Sequence, residues 1–312
     1  MEGQYVIGID AGGTKVAYGL FDAEGTLLYS TQHPSDPELD GPAFADRMIE
    51  TVERILAGNG LEKEQIKGIG IGICSFIIKD RGYIYLTSAL VKIRDFAMQE
   101  YIQSRLGIPV ELDNDANVAA LAEQRRGAGR GHKDLVYVVF GTGIGSGIIL
   151  NNELVHGSYG WAGECGHMLI TPDDGLDCGC RNKGCFMSYA SGGYIVRWAK
   201  KYMEEGAESE LSRCENLSAK DILAAWHHGD ALAVKLVDQM AHYMAVCLYN
   251  IYELLNINMF VIGGGITNFG DMMLEKVRAE FDRYNQVPLP VDIVYSTLEK
   301  DMGIIGAAEL IL

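Results

Sequence analysis

Tyr5-Val6-Ile7-Gly8-Ile9-Asp10-Ala11-Gly12-Gly13-Thr14-Lys15 reads as a strand running into a glycine-rich turn, and residues 16–21 resume as a second strand. A turn at Asp22-Ala23-Glu24-Gly25 leads to a third strand over 26–30. About 130 residues later the plan returns. A strand at 135–140 enters Gly141-Thr142-Gly143-Ile144-Gly145-Ser146-Gly147, followed by a strand at 148–150, a turn at Asn151-Asn152 and a strand from Leu154. Two copies of one plan predict two related domains facing each other.

Between and after the copies, strands and helices alternate. Phe44, Met48, Val52, Ile55 and Leu56 share one helical face. Strands are predicted at 69–74, 109–112 and 291–295, and residues 260–265 read as a strand running into a glycine turn. Helices are predicted at 118–124, 186–204, 219–228 (with Ser218 as N-cap), 231–255, 271–284 and 303–312. The fold class is therefore α/β, and 312 residues suit two domains, because single cores rarely grow further.

The net charge of −16 (26 basic minus 42 acidic residues) opposes a nucleic-acid or anionic-membrane surface. It leaves room for a phosphate held by backbone donors. The apolar run 231–255 carries Lys235, Asp238, Gln239, His242 and Glu253, so it reads as a buried helix and not a membrane span. Met1-Glu2-Gly3-Gln4 shows neither a basic region nor an apolar h-region, and a cytoplasmic location is expected. No nucleic-acid or membrane partner is expected.

Four motifs carry chemistry. In the first turn, glycines let the backbone approach a phosphate, Thr14 adds a hydroxyl, and Asp10 suits a hydrated divalent cation. A plain hairpin turn fits that stretch equally well when it is taken alone. The second turn holds four glycines in seven residues, more than a turn needs, which favours a second phosphate cradle. Asp113-Asn114-Asp115-Ala116-Asn117 joins the 109–112 strand to the next helix. It fits a helix cap, and it fits Asp115 as a general base kept ionised by the helix N-terminus, with Asn114 holding a hydroxyl.

The fourth motif is Glu164-Cys165-Gly166-His167 followed by Cys178-Gly179-Cys180-Arg181-Asn182-Lys183-Gly184-Cys185. His167, Cys178, Cys180 and Cys185 make a nitrogen–sulfur set suited to structural zinc. Disulfides are disfavoured by a reducing compartment and by the odd count of seven cysteines. Cys74, Cys165, Cys214 and Cys247 read as ordinary thiols.

Taken in order, Asp10–Lys15, Asn114-Asp115-Ala116-Asn117, Gly141–Gly145, Glu164–His167, the cysteine knuckle and Gly263-Gly264-Gly265 resemble the ROK family of sugar kinases, within the hexokinase–actin-like ATPase superfamily. The resemblance spans the chain. It implies two actin-like, ribonuclease-H-like α/β domains with an interdomain cleft: residues 1–118 plus 301–312, and residues 119–300 with the zinc knuckle.

It also implies ATP-dependent phosphorylation of a sugar hydroxyl, usually on carbon 6, with Mg²⁺ and a structural Zn²⁺. Asp115 would be the catalytic base, and Asn114, Asp115, Glu164 and His167 would contact the sugar. His167 would serve zinc through one ring nitrogen and sugar through the other. Asp10, Gly12, Gly13, Thr14, Lys15, Gly141, Thr142, Gly143 and Gly145 would face phosphate, and Gly263, Gly264 and Gly265 adenosine. A homodimer is implied.

The chain departs from that pattern in four places. Arg181 replaces a glycine, and Met187 replaces a glutamate that binds sugar hydroxyls. Ser88-Ala89-Leu90 stands for Pro-Asn-Leu, and Cys74-Ser75 for Pro-Gly. Residues 88–98 look more like ROK β-glucoside kinases, which take sugars substituted at carbon 1. The acceptor expected is the 6-hydroxyl of a hexose or hexose derivative, with a β-glucoside or N-acylhexosamine rather than plain glucose as the alternative. The alternative of another class is a non-catalytic ROK sugar sensor or transcription regulator. Regulators carry a helix-turn-helix ahead of the first turn, and the strand beginning near Tyr5 leaves no room for one.

Overall fold

β1 (Tyr5–Ala11), β2 (Lys15–Asp22) and β3 (Leu27–Pro34) form an antiparallel meander. The computed structural model describes residues 4–287, 289–298 and 300–312, so the Met1-Glu2-Gly3 start lies outside the described residues. α1 (Gly41–Asn59) leads to β4 (Ile66–Ile73), parallel to β1. The short strands β5 (Ser75–Ile78), β6 (Tyr83–Thr87) and β7 (Arg94–Phe96) make a small antiparallel sheet. After α2 (Met98–Leu106), β8 (Val110–Asn114) lies parallel to β4, and α3 (Asp115–Arg126) follows it directly.

The second half continues through β9 (Leu135–Phe140), β10 (Ile144–Leu150), β11 (Glu153–Leu154), α4 (Met187–Ala190), α5 (Gly192–Glu204), α6 (Ala219–His227) and α7 (Ala231–Leu255). It ends with β12 (Met259–Gly263), α8 (Gly270–Tyr284), β13 (Asp292–Tyr295) and α9 (Met302–Glu309).

The two large sheets have the orders β3-β2-β1-β4-β8 and β11-β10-β9-β12-β13. Each sets a run of three successive strands beside two later ones, so the repeat read from the two glycine turns is a repeat of topology. The Asn151-Asn152 turn also forms as read. Both residues have positive φ (54° and 67°), as a two-residue hairpin between β10 and β11 requires.

The chain divides into two compact units: Met1–Lys133 with Gly147–Gly163 and Thr297–Leu312, and Asp134–Ser146 with Glu164–Ser296. The sequence placed the first boundary at residue 118. The observed division falls after Lys133 because α3 packs along its length on α9.

In the first unit, α1 is capped by Asp40, whose Oδ1 accepts from Ala43 N at 3.0 Å, and ended by Gly60 at φ 63°. Its predicted stripe of Phe44, Met48, Val52, Ile55 and Leu56 is buried on the sheet. α9 lies flush on the same sheet. A Cβ on Gly70 would sit 1.7 Å from Ala307 O, and one on Gly8 2.0 Å from Ile304 O, so those strand positions exclude any side chain.

In the second unit, α7 carries the predicted bounds and is started by Asp230, whose Oδ1 accepts from Ala233 N at 2.9 Å. Leu232, Leu236, Met240, Met244, Leu248 and Ile251 bury its inner face. It is the one helix among the described residues long and apolar enough to cross a membrane, and 56% of its most apolar stretch is buried inside the protein. The predicted 186–204 helix is broken into α4 and α5 at Ser191, whose extended backbone and side-chain bond to Tyr194 N start α5 afresh.

Candidate active site and metal centre

In the first unit, Asp10, Asn114 and Asp115 gather at the ends of β1 and β8, where the polypeptide leaves the sheet. Asn114 caps α3, its Oδ1 accepting from Ala116 N at 2.8 Å. Its Nδ2 donates to Ser75 O at 3.3 Å, leaving one amide hydrogen for a further acceptor. Asp115 Oδ1 also accepts from Ala116 N, at 3.0 Å, and the Cys74 thiol bonds to its carboxyl.

The helix N-terminus does not decide the charge of Asp115, contrary to the sequence expectation. Burial pushes its carboxyl up and outweighs the hydrogen bonds from Ala116 and Cys74. Asp10 is pushed up to about 6, first by burial and then by the charge of Asp115, with Lys15 opposing. The region thus holds two carboxyls that burial raises above the ordinary aspartate value. Cys74 Sγ also lies 3.1 Å from Ser88 Oγ, which joins two of the positions that the sequence singles out.

Next to this pair, Asp113 is 2% exposed yet lies below the usual carboxylate range. Burial raises it, but His156, Lys79 and Asn117 together win. His156 Nε2 donates to Oδ2 at 2.7 Å, Lys79 Nζ is 3.5 Å away, and Asn117 Nδ2 donates to Oδ1 at 2.8 Å. Sequence reading missed this cluster, since nothing in the spacing of Lys79, Asp113 and His156 links them. It also missed the β5–β7 sheet, whose signal was available in the β-branched and aromatic residues of Phe76-Ile77-Ile78 and Tyr83-Ile84-Tyr85.

The first glycine turn closes on itself: Gly12 N donates to Lys15 O at 3.0 Å, and Ser35 Oγ donates to Gly12 O at 2.6 Å. Gly13 is required by packing, since its Cβ would sit 2.6 Å from Ala89 Cβ. Lys15 is exposed, its Nζ 3.2 Å from Gln32 Oε1.

In the second unit, Gly141 N donates to Gly143 O at 2.9 Å, and Gly192 N at the start of α5 donates to Gly141 O at 2.8 Å. A Cβ on Gly141 would meet only Gly143 O at 4.0 Å, and one on Gly143 only Met187 Cε at 3.3 Å. Neither glycine has positive φ, and a Cβ would meet open space at Gly141 and only the flexible end of Met187 at Gly143. Gly263 and Gly264 differ, because Tyr137 Oη and Phe140 O would collide with their Cβ atoms at 2.2 and 2.5 Å. Glu164 and His167 flank the short turn Cys165–His167, joined by His167 N donating to Glu164 O at 3.0 Å.

His167, Cys178, Cys180 and Cys185 converge, with one donor atom from each lying within 4.8 Å of the others. Cys180 Sγ is 3.5 Å from Cys185 Sγ, and Cys178 Sγ is 3.7 Å from His167 Nδ1. A tetrahedron with zinc–sulfur bonds of about 2.3 Å has edges of about 3.8 Å, so the donor set and spacing fit that ion. Nδ1 is the nitrogen turned to the cysteines, leaving Nε2 for another partner. Burial lowers the His167 pKa, which favours the neutral ring a metal needs. Cys165 and Cys247 are buried, Cys74 and Cys214 half-buried, and none of the four is in a disulfide.

Arg181 within the knuckle has φ 74°, a left-handed backbone that suits glycine. Arg181→Gly is expected to stabilise the protein by about 1 kcal/mol, read as a higher denaturant midpoint at unchanged slope. A lower midpoint would mean that the arginine side chain outweighs the backbone strain.

Two sheets of one order, each opening on a glycine-rich strand–turn–strand, define the actin-like ATPase class of phosphotransferases. The chain belongs to the ROK family, matched over residues 6–312. A glucokinase of Halalkalibacterium halodurans is 33% identical, covering 100% of this chain and 96% of its own. The ROK hexokinase of Thermus thermophilus superimposes with a TM-score of 0.84 at 30% identity, covering 98% and 97% of the two chains. A Streptomyces griseus ROK glucokinase, in complex with glucose and AMPPNP, does so at 0.77 and 32%, covering 98% and 99%. Xylose repressors match as well, that of Bacillus subtilis at 28% over 99% of this chain and 77% of its own. With full-length identity of this degree to glucokinases, the protein is a sugar kinase.

Proposed function

We propose that this kinase transfers the terminal phosphate of ATP to the 6-hydroxyl of a hexose derivative, with Asp115 accepting the hydroxyl proton. The observation that carries the reading is the Asp115 carboxyl, held at the head of α3 with its basicity raised by burial. An ordinary aspartate is a weak base. A buried one draws a proton more strongly.

Phosphoryl transfer asks mainly for positioning and charge neutralisation. Asn114 has one amide hydrogen left to orient the sugar, and the open faces of Gly141 and Gly143 admit phosphate oxygens. Asp10 is the residue that would hold Mg²⁺, which supplies charge neutralisation on the phosphates. Glu164 and His167 would bind sugar hydroxyls, with zinc as a structural ion bracing the His167 ring. The glucose and AMPPNP bound to the Streptomyces griseus relative support a sugar acceptor and an ATP donor. A homodimer in the cytoplasm is part of the same proposal.

The substrate is a sugar carrying a substituent, and not free glucose. Met187 turns a thioether towards the second glycine turn where the family pattern implies an anionic hydroxyl acceptor, and Ala89 packs against the first turn. Each replacement removes a polar partner, and selection for the matching hydroxyl falls with it. ADP release with ATP and Mg²⁺ over glucose, cellobiose, phenyl β-glucoside, N-acetylmannosamine and allose tests this. A substituted sugar is expected to give the highest kcat/KM. Preference for free glucose would refute the substrate reading, and no turnover on any sugar would refute the kinase reading.

A further inference from the structure

Four aromatic side chains cluster at the surface of the first unit. The Trp161 ring lies 5.3 Å from Phe76 in an edge-on contact, 6.0 Å from Tyr85 and 6.2 Å from Tyr159. These rings are not core. Tyr85 is 47% exposed, Tyr159 71% and Trp161 38%. Leaving three large rings in water forgoes burial that such residues normally gain, and exposed clusters of this kind mark binding surfaces.

The cluster is built and held. Its loop is pinned where His156 Nε2 meets Asp113 Oδ2 at 2.7 Å, and Ala162 N donates to His156 O at 3.0 Å. Gly160, at φ 90°, lies against β5 so closely that a Cβ would sit 2.4 Å from Ile77 O. That contact sets Trp161 down on Phe76. Opposite, the β5–β6 pairing shifts register between Phe76 and Ile77, leaving Tyr85 as the extra residue of a bulge. A bulge re-aims the side chain it carries, here onto Trp161.

We infer that Phe76, Tyr85, Tyr159 and Trp161 form a subsite for a second ring joined to the phosphorylated sugar, either the aryl group or the further sugar of a glycoside. Its position follows from continuity with the candidate site: Phe76 directly succeeds Ser75, whose carbonyl takes the Asn114 amide at 3.3 Å. The faces of pyranose and aryl rings are apolar, and both stack on aromatic side chains. Lys79, whose backbone lies beside Gly160, is already engaged by Glu111, Asp113 and Leu112 O and so is not free to hold an anionic ligand. A surface of four rings matches one small ring rather than a protein partner, whose interface would need far more area. The inference rests on the proposed kinase reading for the identity of the first sugar.

Binding can be tested without turnover. The other two tryptophans, Trp198 and Trp226, are 7% and 9% exposed, so Trp161 dominates solvent-sensitive fluorescence. Phenyl β-glucoside or cellobiose added without ATP is expected to change the emission saturably, and Trp161→Phe to abolish the change. A change with phenyl β-glucoside alone identifies an aryl ring, and one with cellobiose alone a second sugar. No saturable change with either overturns the subsite.

In turnover, Trp161→Ala is expected to cost kcat/KM on the recognised glycoside about tenfold more than on glucose. Tyr85→Ala serves if that variant does not fold. Equal losses on all sugars, or dissociation of an oligomer with equal losses, would assign the rings to structure or to a subunit contact instead. If wild-type protein phosphorylates no sugar while the fluorescence response persists, the kinase reading fails and the subsite stands.

Discussion

Asp115→Asn is expected to lower kcat about a thousandfold while leaving the KM for sugar within about threefold, the signature of a group needed in the transition state and not for binding. Asparagine keeps the size of the side chain and one oxygen to accept from Ala116 N, so the α3 cap on Asn114 stays intact. What it removes is the lone pair that takes the proton. A variant retaining more than about a tenth of wild-type kcat would sink the base assignment.

The pH dependence follows from the same group. As the proposed base Asp115 would act when ionised, and burial raises its carboxyl, so kcat/KM is expected to climb with pH across a range above the ordinary carboxylate value and then flatten. Stability runs the other way. A carboxyl raised on folding favours the folded state while protonated. That contribution is complete below the ordinary aspartate value of 3.8 and is lost as pH rises through the raised value, about 6 for Asp10. At neutral pH the pair therefore destabilises the fold. Asp115→Asn, which removes one charge of the pair, is expected to raise the melting temperature while it abolishes activity. That combination cannot come from misfolding.

Much of this arrangement was legible because it is local. The two glycine turns announced a duplicated strand plan, and the sheets repeat one order. The stripe Phe44–Leu56 and the run 231–255 became α1 and α7 because hydrophobic period and caps agree there. The convergence of His167, Cys178, Cys180 and Cys185 was legible because three of the four lie within one hairpin of eight residues, Cys178 to Cys185.

What escaped was long-range. Asp113 meets His156 across 43 residues, and Cys74 joins Asp115 to Ser88 through the fold of a small sheet that local pattern alone did not reveal. The charge state of Asp115 escaped for a related reason. The sequence shows the helix start that favours ionisation, but not the burial that opposes it.

Removing a metal donor should have the other large effect. Cys185→Ser is expected to reduce bound zinc from about one ion per chain to a small fraction and to lower the melting temperature by about 10 °C, with activity lost alongside. Cys185 is fully buried and bridges in backbone to Leu169, while Ile170 N donates to Gly184 O at 2.8 Å and Phe186 N to Met168 O at 2.7 Å. The knuckle is therefore stitched to the segment just after His167. Loss of the ion would leave thiols crowded at 3.5 Å and would free the His167 ring, whose orientation is set through Nδ1. The same damage should follow from a strong chelator acting on wild-type protein. Cys214→Ser, at a half-buried thiol outside the cluster, should keep both zinc and melting temperature. If Cys185→Ser retained full stability and activity, the four donors would be a coincidence of packing and His167 would owe its position to its neighbours alone.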